Sequence, residues 1–217
     1  MIIETLPSGL SLPKIGFGMW KIGGDSSPDP SRDQTSQAAL AAALNIGYTH
    51  FDTAESYARG RSEEMLAQAL RTTNTPRSKI FITTKVHPGH LRHADLIAAC
   101  NNSLRRLETD YIDLYLIHWP GSTPLEESFS ALNQLQREGK IRHIGVSNFG
   151  LDLMKRAAAL CETPLATNQV AYSVSDSSYV HNGVLEYCQE NGIFLTAYSP
   201  VDEGRLRVTG ALREAAR

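Results

Sequence analysis

Two hydrophobic rhythms alternate along this chain. In one, apolar residues recur every three or four positions, as on a helix with one buried face. In the other, short runs rich in Ile, Val, Phe and Tyr read as buried strands. The helical rhythm appears in "QTSQAALAAALNIG", which Gly47 stops, and in "SEEMLAQALR", whose first turn carries acids as the helix dipole favours. It returns in "ADLIAACNNSLRRL", "PLEESFSALNQLQREG" with Gly139 as its stop, "LDLMKRAAAL", "GVLEYCQENG" and "VTGALREAAR". The strand rhythm appears in "KIGFGM", "YTHFDT", "KIFITTKV", "YIDLYLIHW", "IRHIGVSN", "ATNQVAY" and "IFLTAYS". Ahead of both, two extended runs around Ser8-Gly9 predict a hairpin, and a Gly/Pro/Ser/Asp-rich loop runs from Gly23 to Pro30.

Strands alternating with helices long enough to cross back over a sheet imply parallel βαβ units. Seven such strands are one short of a (β/α)8 TIM barrel. The repeat pitch of roughly 25–35 residues suits a barrel of about 250 residues. The expected fold is therefore α/β, an incomplete barrel with an N-terminal β-hairpin. No linker or low-complexity stretch divides the chain, so residues 1–217 read as a single domain.

Charge and composition narrow the function. The 217 residues are 41% hydrophobic and 20% charged, with a formal net charge of −2. That balance gives no electrostatic case for nucleic acid or an anionic membrane as partner, and no apolar run is long enough to span a bilayer. Cys100, Cys161 and Cys188 are odd in number and lack metal-like spacing, which suits thiols of a reducing compartment and a cytoplasmic location.

Polar residues at strand ends change the picture most. Asp52, Lys85 and His118 end three consecutive strands at equal intervals, one βα unit apart. Catalytic groups of such barrels sit at the C-terminal strand ends. By strand alternation, Tyr48, His50 and Asp52 share one face, as do Phe81, Thr83 and Lys85, and Leu114, Leu116 and His118. If those faces point inward, a carboxylate, an ammonium and an imidazole meet at one rim, and Tyr57 returns to it from the following loop. Singly, each has a structural reading: Asp52 as a helix cap, Lys85 as a surface residue, His118 as a core histidine, Tyr57 as a packed aromatic. Together they describe a phenol made more acidic by an ammonium that a carboxylate orients. Such a phenol can protonate a carbonyl oxygen while His118 aims it. No nucleophile or metal set accompanies them, so the reductant must be a hydride carrier, a nicotinamide. His87, His90 and His93 form a short histidine-rich tract, but we expect no metal there.

The segments "GFGMWKIG", "HFDTAESY", "ITTKV", "DYIDLYLIHWP", "GKIRHIGVSNF", "NQVAYS" and "GIFLTAYSP" resemble, in order, those of the aldo-keto reductase family. The resemblance implies a barrel that reduces aldehydes or ketones with NAD(P)H, its tetrad falling on Asp52, Tyr57, Lys85 and His118. It places Ser147, Asn148 and Gln169 at the nicotinamide carboxamide and Tyr198 against the ring, with Gly18, Met19, Asp52, Ser199 and Gly204 also at the cofactor. Met19, Trp20 and Trp119 fall where the family lines its substrate pocket, beside Tyr57 and His118. For Ser147-Asn148 the alternative is a helix cap, and for the tryptophans plain core packing. NADP(H) is the family's usual cofactor, with NAD(H) left open. The resemblance stops before the family's last strand and helices. A monomer is expected of the complete fold, and self-association and low stability of a chain lacking that strand. A non-catalytic, cofactor-binding or regulatory protein is the competing reading.

Overall fold

The computed structural model describes residues 2–205 and 209–215. The hairpin forms as the Ser8-Gly9 signal predicts. Strands β1 (Ile3–Thr5) and β2 (Ser11–Pro13) pair antiparallel. They are joined through Gly9, whose φ of 87° lies in the left-handed region that glycine enters without steric cost.

Seven strands follow in one parallel sheet, each beside its successor in the chain: β3 (Phe17–Gly18), β4 (His50–Asp52), β5 (Phe81–Val86), β6 (Ile112–Ile117), β7 (Ile141–Ser147), β8 (Thr167–Ala171) and β9 (Phe194–Tyr198). The crossovers carry α1 (Asp33–Asn45), α2 (Arg61–Thr72), α3 (His93–Leu107), α4 (Leu125–Arg137), α5 (Leu151–Leu160), and the pair α6 (Ser178–His181) and α7 (Val184–Glu190). The last described element is α8 (Gly210–Ala215). Among the described residues β3 and β9 are each paired on one side only, so the barrel is nearly closed.

Two apolar clusters explain the strand sequences. Phe51, Ile82, Tyr115, Ile117, Ile144 and Val146 point outward into a large core shared with the helices. Their neighbours Leu114 and Leu116 point inward, where Ala166, Phe81 and Phe194 meet them. Strand β6 is buried at every position because both of its faces are covered, and its sequence is correspondingly apolar but for Asp113. The hairpin supplies the floor of the inner cluster through Leu10 and Leu12. Burying a leucine contributes about 1.5–3 kcal/mol, so these two hold the hairpin against the barrel.

One inward assignment needs correction, and so does the placing of Met19 at the pocket. Tyr48 precedes the paired part of β4, so alternation does not govern it. It packs edge-on against Phe17 (ring centroids 5.6 Å apart) at the outer core. Met19 also lies in the outer core, with no exposed surface. The one charged residue inside the β6 run, Asp113, is also explained. It accepts from Arg77 (2.6 Å), Arg142 (3.0 Å) and the amide of Ile82 (3.0 Å), so its burial leaves neither oxygen unpaired.

Candidate active site

Because all seven strands run the same way, their C-terminal ends form one rim. Asp52 is the last residue of β4 and pairs in register with Thr83, which places Lys85 two residues further toward the rim. His118 follows β6 directly, Ser147 ends β7 and Tyr198 ends β9.

Lys85 is the centre of the arrangement. Its side chain is fully buried, and its Nζ donates to Asp52 Oδ1 (2.5 Å), the Thr53 carbonyl (2.8 Å) and Tyr57 Oη (3.3 Å). Burial alone lowers the lysine's pKa. The Asp52 carboxylate, supported by Tyr57, outweighs burial and holds it above its ordinary value, so the ammonium stays charged. The second oxygen of Asp52, Oδ2, accepts from Gln169 Nε2 at 2.7 Å.

Tyr57 is delivered by an unusual turn. Ala58 (φ 47°), Arg59 (φ 53°) and Gly60 (φ 88°) are all left-handed. Two consecutive non-glycine residues in that region are costly and persist only where neighbours enforce them. Here the Ala58 amide donates to the Asp25 carbonyl (3.0 Å) and the Arg59 amide to the Ser56 carbonyl (3.3 Å). Gly60 answers two demands at once, since a Cβ there would lie 2.4 Å from Arg106 Nε. That guanidinium donates to the fully buried Glu63 (2.6 Å), which also accepts from Thr84 (2.6 Å), the residue before Lys85.

The His118 ring stands edge-on to Tyr57, centroids 5.6 Å apart. Its Nδ1 lies 3.2 Å from Ser56 Oγ, a partner that no motif or spacing singles out. Burial first, then the charge of Lys85, push its pKa down to about 4, so His118 is neutral near pH 7. Deeper in the barrel His50, also lowered chiefly by burial, meets Thr83 Oγ1 through Nε2 (2.9 Å).

These depressed histidines have a thermodynamic consequence. Between about pH 6.5 and pH 4 the unfolded chain binds protons that folded His118 refuses, so stability rises with pH across that window and is lost on acidification. The urea midpoint should fall from pH 7 to pH 4.5, and fall less in His118→Asn. Equal pH dependence in both proteins would contradict the assignment.

The remaining rim residues fall into two groups. Ser147, Asn148 and Tyr198 are bound to one another and to the barrel. Ser147 Oγ donates to the Gln169 carbonyl (2.7 Å), and Asn148 Nδ2 donates to Ser147 Oγ (2.9 Å) and the His118 carbonyl (3.2 Å). Asn148 Oδ1 accepts from the Tyr198 hydroxyl (2.9 Å). Trp20 and Trp119, by contrast, are about half exposed just beyond β3 and β6, which is not the position of core residues. A Cβ at Gly18, the register partner of Asp52, would meet open space. Ser199 (φ 52°) and Gly204 (φ 83°) belong to the turn after β9, where the Asp202 amide donates to the Ser199 carbonyl (2.9 Å) and the Gly204 amide to the Val201 carbonyl (3.0 Å).

Met19 does not line a pocket with its side chain. Its amide donates to the Asp52 carbonyl (2.9 Å) and its carbonyl accepts from Ser62 (3.2 Å). The histidine-rich tract separates. His90 Nδ1 meets Glu55 (2.9 Å), which also accepts from the His87 amide (2.6 Å), while His93 opens α3 with its amide on Glu127 (3.1 Å). Among the described residues no group of three or more His, Cys, Asp or Glu is arranged to hold a metal. No described helix is long and apolar enough to cross a membrane.

Comparison with known proteins places the same residues in context. The model of the aldo/keto reductase family matches residues 14–215. The chain is 41% identical over 211 residues to the methylglyoxal reductase YeaE of Escherichia coli (strain K12), covering 95% of this chain and 70% of that protein. Its structure superposes on the thermostable aldo-keto reductase Tm1743 with a TM-score of 0.92 at 42% identity, covering 99% of this chain and 77% of that one. An aldo/keto reductase from Klebsiella pneumoniae, solved with NADP and acetate, gives a TM-score of 0.81 at 39% identity and covers 93% and 69% respectively.

Proposed function

The chain belongs to the aldo/keto reductase family, and from that premise we propose that it reduces small reactive aldehydes and ketones with NADPH, dicarbonyls of the methylglyoxal type foremost. The observation that carries the reading is the position of Lys85, whose one buried ammonium touches both the Asp52 carboxylate and the Tyr57 phenol at the open rim.

A bound NADPH supplies the hydride. The residues present suit its carboxamide: Gln169 Nε2 is held by Asp52, which leaves Oε1 free to accept an N–H, and open space adjoins Gly18. Ser147 and Asn148, already satisfied by each other, would meet a ligand by exchanging a bond. Tyr57 gives its proton to the carbonyl oxygen as negative charge develops there. The Lys85 ammonium stabilises the phenolate left behind, and Asp52 keeps that ammonium charged and aimed. Neutral His118 donates a hydrogen bond from Nε2 to the same oxygen in the tautomer whose Nδ1 accepts from the Ser56 hydroxyl. Trp20 and Trp119 flank the approach and offer apolar walls to a small substrate. The three cysteines are free thiols, and we place the protein in the cytoplasm on that ground.

Incubation with NADPH and methylglyoxal should consume NADPH absorbance with saturable dependence on aldehyde. Tight NADPH binding without turnover of methylglyoxal or 4-nitrobenzaldehyde would reject catalysis and favour a cofactor-binding protein.

A further inference from the structure

Asp52 divides its two oxygens between different parts of the site. Oδ1 takes the Lys85 ammonium at 2.5 Å and Oδ2 takes Gln169 Nε2 at 2.7 Å. The second bond joins β4 to β8, strands that are not neighbours in the sheet and residues 117 apart in the chain. Gln169 is only 6% exposed, so water offers little competition for its amide.

We propose that Gln169 is a positioning residue for the proton donor as well as a seat for the cofactor, a strut that fixes Asp52 and through it Lys85 and Tyr57. The inference rests on the reductase reading above but adds a task to one residue of it. A side-chain amide has one donor end and one acceptor end. Turning it over would set Oε1 against the Asp52 carboxylate at hydrogen-bond distance, two acceptors with no proton between them. The carboxylate therefore locks the amide with its oxygen free, and the amide in turn locks the carboxylate plane. Hydrogen bonds to a charged group are the strong ones, and this one fixes the carboxylate on the side that Lys85 leaves open. Without it Asp52 keeps one strong partner and gains freedom to rotate, and the three contacts of Lys85 lose their shared geometry.

The two roles separate experimentally. A residue that only seats the cofactor raises the Kd for NADPH and leaves kcat intact once cofactor is saturating. A strut lowers kcat even then. In Gln169→Leu, kcat at saturating NADPH should fall about 10-fold, the order expected for one hydrogen bond to a charged group. In an Asp52→Asn background the same substitution should change kcat by less than about twofold, because the charged acceptor that makes the strut strong is gone. The free protein gives a readout that needs no turnover. The side-chain amide protons of Gln169 in wild type should be shifted downfield and slow to exchange, and should lose both properties in Asp52→Asn. An unchanged saturating kcat in Gln169→Leu, or multiplicative losses in the double variant, would overturn the strut. So would a Gln169 amide signal indifferent to Asp52→Asn. If wild type fails to oxidise NADPH, the reductase reading fails instead, and the amide signal still decides whether the strut exists. Should Gln169→Leu not fold, Gln169→Met serves in its place.

Discussion

Replacing Tyr57 by phenylalanine should lower kcat for methylglyoxal by about 10²–10⁴-fold, the usual cost of an essential proton donor. NADPH should still bind nearly as in wild type. Among the described residues the phenol is the only one that touches Lys85 Nζ, so no neighbour can take over. His118 cannot, because with its pKa near 4 it carries no proton to release at neutral pH beyond the one it uses as a hydrogen bond. The ring of Tyr57 survives in phenylalanine, and with it the edge-on packing against His118. Stability should therefore change little, and the measurement is a clean one of lost chemistry. Turnover within tenfold of wild type would remove Tyr57 from the role of acid.

Lys85→Met should damage both activity and stability, for one reason. The substitution keeps the volume of the stem but removes the ammonium from a fully buried position. Asp52, which is 16% exposed, is left with the Gln169 amide as its remaining side-chain partner. Stranding one member of a buried ion pair costs about 3–5 kcal/mol, less here by the share of solvent that reaches Asp52. Removal of a preorganised charge beside the reacting oxygen should cost about 10²–10³-fold in kcat. The double variant Lys85→Met, Asp52→Asn separates the two effects. It should unfold at higher urea than Lys85→Met alone, since no unpaired carboxylate remains, yet stay as inactive. A double variant less stable than the single would show that Asp52 is not strained by the loss of its partner.

How much of this was legible beforehand differs from residue to residue. The seven strands could be read because both faces of the sheet are covered, which forces apolar runs such as that of β6. The meeting of Asp52, Lys85 and His118 could be read because parallel strands in sequential order repeat at a fixed pitch. Alternation failed at Tyr48, which stands just outside the short ladder of β4, where the strand period no longer dictates direction, and the resemblance alone did not show that the Met19 side chain turns to the outer core. The left-handed run after Tyr57 announced itself only through Gly60. Alanine and arginine carry no such signal, and the turn is held by a tertiary bond to Asp25 and a local one to Ser56. Ser56 itself belongs to no periodic pattern, and its importance lies in the orientation of one hydroxyl. The Gln169–Asp52 bond was invisible for a related reason. It joins side chains across the barrel mouth, and no local rhythm reports on a contact between distant strands. The short α6 and the extra turns around it also carried no usable period.

The hairpin beneath the barrel has a consequence for how the chain is made. Leu10 and Leu12 leave the ribosome long before β9 does, yet the cluster that buries them includes Phe194, and a Cβ at Gly192 in the loop before β9 would lie 3.3 Å from Pro7. Throughout most of translation these two leucines have no finished cavity to enter. A nascent chain arrested before β9 therefore presents a greasy, unsatisfied hairpin, the kind of surface that chaperones recognise and that aggregates when they are scarce. Contacts so far apart in sequence also slow folding, since a long loop must close before they give anything back. The hairpin is thus made before the strands of the barrel and is sealed only when β9 arrives.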